Sequence, residues 1–264
     1  MKLTLYQIDA FTDHNFGGNP AAVILLDEWL ENELMQNISQ ENNLAETAFL
    51  VQKNSTFEIR WFTPETEVDL CGHATLAAAF VVFNYHGYPE NTLRLHSHRS
   101  GNLSVQKAQD GYLVLDFPTD DIIAIRGIDA INKAIGLTPQ RTLKGKTDYL
   151  LIYNSQHEIE EIAPNFHLLD QLDCRGVIVS APGEKVDFVS RFFAPQCGVP
   201  EDPVTGSAHT TLTPYWSKVL GKSELTAKQL SKRGGDLVCE HAGDRVKIAG
   251  KAVPYLIGEI DVKL

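Results

Sequence analysis

The stretch Phe57-Glu58-Ile59-Arg60-Trp61-Phe62-Thr63-Pro64 has a near copy at Phe188-Val189-Ser190-Arg191-Phe192-Phe193-Ala194-Pro195, about half the chain length later. In both copies the first Phe, the Arg, the later Phe and the Pro recur in register. An acidic loop then leads to Gly72-His73-Ala74-Thr75 in the first copy and to Gly206-Ser207-Ala208-His209 in the second. Coincidence is the alternative, because aromatic strands with an Arg are common. Two matched segments in the same order favour an internal duplication.

Each copy has the order strand, proline-bounded loop, glycine and apolar helix. Strand-like patterns fill much of the remaining chain, and helical patterns predict helices at Glu28–Asn42, His73–Tyr85, Ile128–Gly136 and Ser207–Leu220. Many strands with few long helices, without strict alternation of the two, indicate an α+β fold. A polar segment after Phe117 predicts two halves, 1–117 and 118–264, and we allow the strand near 255–264 to pack with the first half.

Composition excludes several classes of protein. The 264 residues carry a net charge of -11, which disfavours binding to nucleic acids and anionic membranes. No apolar stretch approaches the ~20 residues of a spanning helix, and the N-terminus lacks the apolar core of a signal peptide. Four widely spaced cysteines without a CxxC pair favour a cytoplasmic protein with reduced thiols.

The two glycine-centred helix starts are the candidate substrate site. Free N–H groups and the helix dipole make the first turn of a helix an anion site, and glycine lets a ligand approach the backbone closely. If the duplication places the turns at Gly72 and Gly206 face to face, they converge in a cleft on one carboxylate and polarise its neighbouring carbon. Two ordinary capped helices are the alternative, with Asp69 and Asp202 as caps.

Three residues are candidates for acid/base chemistry. Glu46 lies among apolar neighbours, and a carboxylate enclosed by apolar groups can exchange protons near neutral pH. His73 lies at one helix start, and Asp202 precedes the other. A His can transfer or orient a proton, and a paired Asp can fix its tautomer. An exposed Glu46 and capping roles for His73 and Asp202 stay open as alternatives.

A two-thiol racemase is a further alternative, because two bases on opposite faces of a carbon permit inversion. Cys197 does not occupy the slot equivalent to Cys71, which holds Pro203-Val204 in the second copy, so the thiol pair is broken. Buried unreactive thiols are then favoured. His96 and His98 lack a further ligand nearby, and no metal site is predicted.

Four segments taken together resemble the phenazine-biosynthesis isomerase-like (PhzF) family, within the diaminopimelate epimerase fold superfamily. The resemblance spans nearly the whole chain, and the combination of motifs is more specific than any one of them. The segments are Gln7–Thr12 running into Gly18–Val23, Asn43–Phe49, Arg60–Thr75 and Arg191–His209.

The resemblance implies two pseudosymmetric domains, each a curved, mostly antiparallel sheet around a central helix, with the active site in the cleft between them. It also implies a homodimer, no cofactor, and an isomerase acting on a small carboxylate. Glu46 matches the family's acid/base, with His73 and Asp202 beside it as catalytic residues. The predicted substrate-binding residues are Asn19, Gly72, Ala74, Thr205, Gly206 and Ser207. A Cys71-dependent epimerase and an inactive carboxylate-binding protein remain the alternatives.

Overall fold

A computed structural model describes residues 1–263 of the chain. These residues form two compact units, the first made of residues 1–116 and 249–263 and the second of Phe117–Ile248. The chain thus leaves the first unit after Asp116 and returns to it at Ala249. Leu264, the last residue of the strand predicted near 255–264, lies outside the described residues.

Strands dominate both units, and six α-helices and two short 3₁₀ turns accompany them in the described part of the chain. The strands are β1 (Lys2–Ala10), β2 (Asn19–Leu26), β3 (Glu46–Lys53), β4 (Thr56–Phe62), β5 (Glu67–Val68), β6 (Thr92–Ser97), β7 (Gly101–Lys107), β8 (Leu113–Pro118), β9 (Ile123–Ile125), β10 (Arg141–Lys144), β11 (Asp148–Ile152), β12 (Gly176–Pro182), β13 (Phe188–Ala194), β14 (Val199–Asp202), β15 (Glu224–Gln229), β16 (Gly235–Ala242), β17 (Arg245–Gly250) and β18 (Ala252–Asp261). The helices are α1 (Asn32–Asn42), α2 (Gly72–Tyr85), α3 (Asp129–Ile135), α4 (Gln156–Glu161), α5 (Phe166–Leu169) and α6 (Gly206–Leu220).

The first unit is a mixed, mostly antiparallel sheet packed against α2. Strand β1 lies antiparallel between β18 and β2, β2 is parallel to β3, and β3 is antiparallel to β4. Strand β4 then pairs antiparallel with β5 and parallel with β6. Helix α2 is apolar on all sides from Ala74 to Phe83, and nearly all of these residues are buried. A helix without a polar face is stable only when surrounded, so α2 forms the core of this unit.

The second unit repeats this pairing scheme. Strand β10 is antiparallel to β11, β11 is parallel to β12, and β12 is antiparallel to β13. Strand β13 pairs antiparallel with β14 and parallel with β15, as β4 does with β5 and β6. Helix α6 packs on β11, β15 and β16 of this unit. The same order of parallel and antiparallel pairs around one long helix is what an internal duplication predicts.

The recurring Arg of the repeated strand makes the same contact in each unit. Arg60 donates from Nε and Nη2 to the two carboxylate oxygens of Glu67, at 2.7 and 2.9 Å. Arg191 donates from Nε and Nη2 to Glu201, at 2.7 and 3.0 Å. Such bidentate ion pairs fix the relative geometry of the Arg and the acidic side chain. Each Arg therefore ties its strand to the short strand that leads towards the glycine-centred helix.

The prediction that the first helix begins at Glu28 is wrong, because α1 begins at Asn32. Trp29 and Leu30 instead pack against the core in an extended segment, and Trp29 Nε1 donates to Glu58 at 2.8 Å. Tertiary packing thus overrides a helical pattern there. Among residues 1–263, none of the helices combines the length and apolar character that crossing a bilayer requires.

Candidate active site

Three elements of the first unit bring the candidate residues together. Asn19 begins β2 and Glu46 begins β3, and these strands run parallel with Ala21 opposite Glu46. Neighbouring parallel strands begin at the same edge of a sheet. Helix α2 packs against both strands and begins at Gly72, so that His73 lies beside the two strand starts.

His73 is the centre of this cluster. Its Nε2 lies 3.0 Å from Oε2 of Glu46. Its Nδ1 lies 3.1 Å from the side-chain amide of Asn19 and 3.5 Å from Sγ of Cys71. Glu46 Oε2 and His73 Nε2 have the separation of an ion pair, but neither has a hydrogen bond of proper alignment to any of residues 1–263. The pair is therefore close without being locked by a directional bond.

Burial and charge set the protonation of this cluster. Burial lowers the pKa of His73, but attraction to Cys71 and Glu46 outweighs it and places that pKa well above its usual value. Burial, together with the nearby Glu46 carboxylate, raises the pKa of the Cys71 thiol to about 11. With a pKa of about 11, Cys71 is a neutral thiol at pH 7, so at that pH the attraction that raises the pKa of His73 comes from Glu46.

The first turn of α2 is open. Cys71 is the N-cap residue in an extended conformation, and its side chain makes no capping hydrogen bond. Asp69, the cap in the alternative interpretation, is exposed and pairs with Arg99 at 3.3 Å. The first turn of α2 thus lacks the oxygen cap that a Ser, Thr, Asp or Asn at the N-cap position would supply, which favours an anion site there.

A comparable turn occurs at the start of α6 in the second unit. Thr205 is the N-cap residue, and its side chain donates to Asp202 Oδ2 at 2.6 Å and makes no capping bond. Asp202, the cap in the alternative interpretation, thus accepts a hydrogen bond from the N-cap residue. Buried Gln229 accepts from Thr205 N at 2.9 Å and donates to the carbonyl of Asp202 at 2.8 Å.

We expect Gln229→Ala to lower the free energy of unfolding by about 2–4 kcal/mol, because it removes several hydrogen bonds and leaves buried partners unsatisfied. Urea unfolding measures the effect. Exposed Gln171, whose side chain contacts His167, is the matched control, and Gln171→Ala should change little. Equal effects of the two substitutions would contradict a structural role for Gln229.

Arg175, which is partly exposed, and Asp148, which is buried, form a charged pair that also reaches the α6 turn. Arg175 donates through Nε to Asp148 Oδ1 at 2.9 Å and through Nη2 to Oδ2. Nη1 and Nη2 of Arg175 contact the Ser207 hydroxyl at 3.2 and 3.1 Å, and the guanidinium lies over the Phe192 ring. Neither residue belongs to the repeated motif, so no sequence pattern predicts the pair. The guanidinium adds positive charge where Ser207 was predicted to bind a substrate.

Gly18 holds Asn19 in place. Its φ is +61°, and a Cβ there would lie 2.1 Å from the carbonyl oxygen of Ala10. We expect Gly18→Ala to cost about 3 kcal/mol, roughly 1 from the left-handed backbone and ~2 from the steric clash. Gly243→Ala isolates the first cost, because Gly243 has a φ of +75° and open space around it. Thermal unfolding should show a larger loss of stability for Gly18→Ala than for Gly243→Ala. A smaller loss for Gly18→Ala would contradict the predicted steric clash.

The same cluster contains side chains of metal-ligand types. Three side chains, those of Glu46, Cys71 and His73, each offer one ligand atom. These three atoms lie within 4.8 Å of one another. Carboxylate, thiolate and imidazole are the ligand types that Zn²⁺ takes in proteins.

The structure thus groups the predicted residues into two sets. Within the first unit, Asn19, Glu46 and His73 lie in contact, and Gly72 and Ala74 flank His73 in the first turn of α2. Within the second unit, Asp202 contacts Thr205, and Gly206 and Ser207 form the first turn of α6. The catalytic and binding roles of these residues stay predictions.

Comparison with known proteins gives a consistent picture. The phenazine biosynthesis-like protein family (PhzC-PhzF) matches residues 8–258. Two uncharacterized isomerases from Pseudomonas aeruginosa are 48% and 51% identical to the chain, each over 98% of it and 99% of the relative. A phenazine biosynthesis-like domain-containing protein from Homo sapiens is 41% identical over 98% of the chain and 99% of the relative.

Solved structures agree with these relatives. A PhzF-family protein from Enterococcus faecalis has a TM-score of 0.96 and 45% identity, covering 99% of this chain and 100% of that one. A hydroxyproline epimerase from Agrobacterium vitis has a TM-score of 0.60 at 10% identity, covering 98% and 92%, and shares the fold alone. The predicted α+β fold of the epimerase type is confirmed.

Proposed function

Because the chain belongs to the phenazine biosynthesis-like protein (PhzF) family, we propose that it is an isomerase that moves a proton within a small carboxylate-bearing metabolite. The predicted family resemblance is confirmed over residues 8–258. Relatives named as isomerases support the reaction class. A proton shift changes no oxidation state, so protein groups alone suffice for the proposed chemistry.

Glu46 is the proposed acid/base, and its contact with His73 carries the proposal. The carboxylate is 16% exposed and lies 3.0 Å from His73 Nε2, at the same sheet edge as the open first turn of α2. A substrate carboxylate that accepts hydrogen bonds from the amides of that turn has an acidified neighbouring C–H. Glu46 takes this proton, is a neutral carboxylic acid between the two steps, and returns the proton to another carbon, while His73 holds the Glu46 side chain in position.

Asp202, Thr205, Gly206 and Ser207 are the proposed contributors from the second unit. The uncapped first turn of α6 and the guanidinium of Arg175 beside Ser207 support binding of an anionic group there. Asp202 is engaged by Thr205, which favours an orienting role for its carboxylate.

A cysteine-dependent epimerase is the second candidate, favoured by the 3.5 Å contact between Cys71 and His73. The pKa of about 11 at Cys71 opposes it, because little thiolate exists at neutral pH. We expect Cys71→Ala to retain most turnover, measured by substrate consumption, with Cys239→Ala as the control for loss of a buried thiol. Loss of turnover in Cys71→Ala alone would favour the epimerase.

The experiment that tests the proposed function uses the wild-type chain. A thermal-shift screen of small carboxylates identifies ligands, and each ligand is then incubated with the enzyme in deuterium oxide and followed by NMR. We expect at least one ligand to rearrange with solvent deuterium at the receiving carbon. Ligands that bind without rearrangement or exchange would instead indicate a carboxylate-binding protein.

A further inference from the structure

We propose that Arg175 is a positioning residue, which fixes the Ser207 hydroxyl as a hydrogen-bond donor to an anionic oxygen of the substrate. The inference rests on the proposed function, in which Ser207 binds the substrate, and adds a residue from outside the repeated motif. Arg175 lies directly before β12, and Ser207 stands in the first turn of α6. An oxyanion such as a carboxylate is therefore the group expected at Ser207, whereas an ammonium group has no acceptor for that proton and is repelled by the guanidinium.

The hydroxyl of Ser207 is a hydrogen-bond acceptor towards Arg175. Nη1 and Nη2 of the guanidinium lie 3.2 and 3.1 Å from Ser207 Oγ. A guanidinium has N–H donors and no acceptor, so the serine oxygen receives both N–H groups and its own proton points away from them. Ser207 is an exposed residue. Its hydroxyl proton is therefore directed at solvent or at a bound acceptor.

The guanidinium of Arg175 cannot turn away from Ser207 without losing other contacts. Its Nε donates to Asp148 Oδ1 at 2.9 Å, and Nη2 donates to Oδ2 of the same carboxylate. Its Cζ lies 5.4 Å from the centre of the Phe192 ring. The side-on pairing with Asp148 uses Nε–H and the outer N–H of Nη2, so the two inner N–H groups converge on Ser207 Oγ. A lysine has no such fork of donors, so the arrangement is specific to arginine.

The internal repeat shows where Arg175 stands in the fold. Strands β3 and β12 occupy the same place in the two pairing schemes, since each is parallel to the preceding strand of its sheet and antiparallel to the following one. Phe62 and Phe193, which match in the repeat, lie opposite the second residue of β3 and of β12. The first residues of these strands, Glu46 and Gly176, are therefore equivalent, and Arg175 directly precedes the latter.

Each unit thus places a charged side chain beside the residue that follows the helix glycine. In the first unit, Glu46 Oε2 lies 3.0 Å from Nε2 of His73. In the second unit, Arg175 Nη2 lies 3.1 Å from Oγ of Ser207. The two contacts correspond, but the charges have opposite sign. A carboxylate can accept a substrate proton, whereas a guanidinium stabilises a bound anion, so the repeat favours a role for Arg175 in substrate recognition over a purely structural one.

A thiol at position 207 tests the influence of Arg175 without a substrate. Ser207→Cys is made in a Cys197→Ser background, which lacks the exposed native thiol, and is treated with iodoacetate or iodoacetamide. Peptide mass spectrometry gives the alkylation rate at each cysteine. An ordinary thiolate repels the carboxylate of iodoacetate, whereas the guanidinium attracts it. We therefore expect the ratio of the iodoacetate rate to the iodoacetamide rate to be about 10-fold higher than in Ser223→Cys, which replaces an exposed serine of the same unit.

The same measurement without the guanidinium is the control. Adding Asp148→Leu with Arg175→Met removes both charges of the pair, so neither is left alone and the protein should stay folded. We expect the rate ratio at position 207 to fall to the value found for Ser223→Cys. A ratio that is already at that value with Arg175 present, or that stays high without it, would overturn the proposal.

Kinetics then test whether Arg175 acts through Ser207. The assay uses the carboxylate that rearranges in deuterium oxide or, if none rearranges, the dissociation constant of the carboxylate with the largest thermal shift. We expect Ser207→Ala and the Asp148→Leu/Arg175→Met pair each to raise KM by about 10- to 100-fold, the range for one hydrogen bond to a charged group, with a smaller change in kcat. All three substitutions together should cost no more than either change alone. Lys228→Ala removes an exposed cation of the same unit and should leave KM unchanged.

The outcomes separate this inference from the proposed function. A carboxylate that binds without rearrangement contradicts the isomerase, but its dissociation constant still tests Arg175. An unchanged KM or dissociation constant in the Asp148→Leu/Arg175→Met variant would show that Arg175 is only structural and would overturn the inference. Additive losses would overturn it too, because Arg175 would then contact the substrate directly. If that variant is unstable, Arg175→Lys gives the same comparison, since it keeps the charge beside Asp148 but loses the fork of donors.

Discussion

We expect Glu46→Gln to lower the rate of solvent deuterium exchange into substrate by about 100- to 10,000-fold, the usual contribution of a general acid/base. Gln has nearly the shape of Glu, so it fills the same space beside His73 at the start of β3. It cannot take up the substrate proton. Substrate binding, measured by calorimetry, should change far less than the rate, because the amides of the α2 turn are untouched.

Glu58→Gln is the matched control for this experiment. Glu58 lies on β4 of the same unit and accepts a hydrogen bond from Trp29 at 2.8 Å, which a Gln oxygen can also accept. The Glu58→Gln variant should exchange solvent deuterium into substrate at the wild-type rate. Wild-type exchange in Glu46→Gln would remove Glu46 from the mechanism and leave His73 or Cys71 as the base.

We expect Arg175→Ala to lower the free energy of unfolding by about 3 kcal/mol. Asp148 is 2% exposed, and the substitution leaves its carboxylate buried without the guanidinium that neutralises it. The estimate is at the lower end for buried pairs, because the Arg175 side chain is 37% exposed and water can partly replace it. Chemical denaturation of the variant and wild type measures the difference.

Two further variants test whether the stability loss in Arg175→Ala comes from leaving the Asp148 carboxylate without its partner. Replacing both partners, as in Asp148→Leu with Arg175→Met, should recover much of the lost stability, since neither charge is then left alone. Lys228→Ala breaks the exposed pair with Asp236 and should cost less than about 1 kcal/mol. A similar small loss in Arg175→Ala would show that the Asp148 carboxylate is solvated or satisfied by other groups.

The repeated motif predicted much of the fold. Arg60 and Arg191 recur in register, and each makes the same two-pronged contact with an acidic residue. Sequence periodicity also located α2 and α6 to within one residue. It misplaced the start of α1, because the apolar pattern of Trp29 and Leu30 is compatible with a helix and with an extended segment that packs on the sheet.

The site residues were predictable only where they belong to a local sequence pattern. Gly72, His73 and Gly206 stand in the repeated motif, and Glu46 stands out among apolar neighbours. The contact between Glu46 and His73 depends on the packing of α2 against β3, which no local pattern encodes. Arg175 and Gln229 lie far from the motif in sequence, and only the pairing of strands brings them to the α6 turn.

The return of β18 to the first unit has a consequence for biosynthesis. Strand β1 pairs with β18 along its whole length, from Lys2 opposite Asp261 to Ala10 opposite Ala252. Among the strands of this unit, the ribosome makes β1 first and β18 last. Strand β1 therefore has no β18 partner until the entire second unit has been synthesised. The second unit can fold during translation, whereas the sheet that carries Glu46 is completed only after β18 has emerged.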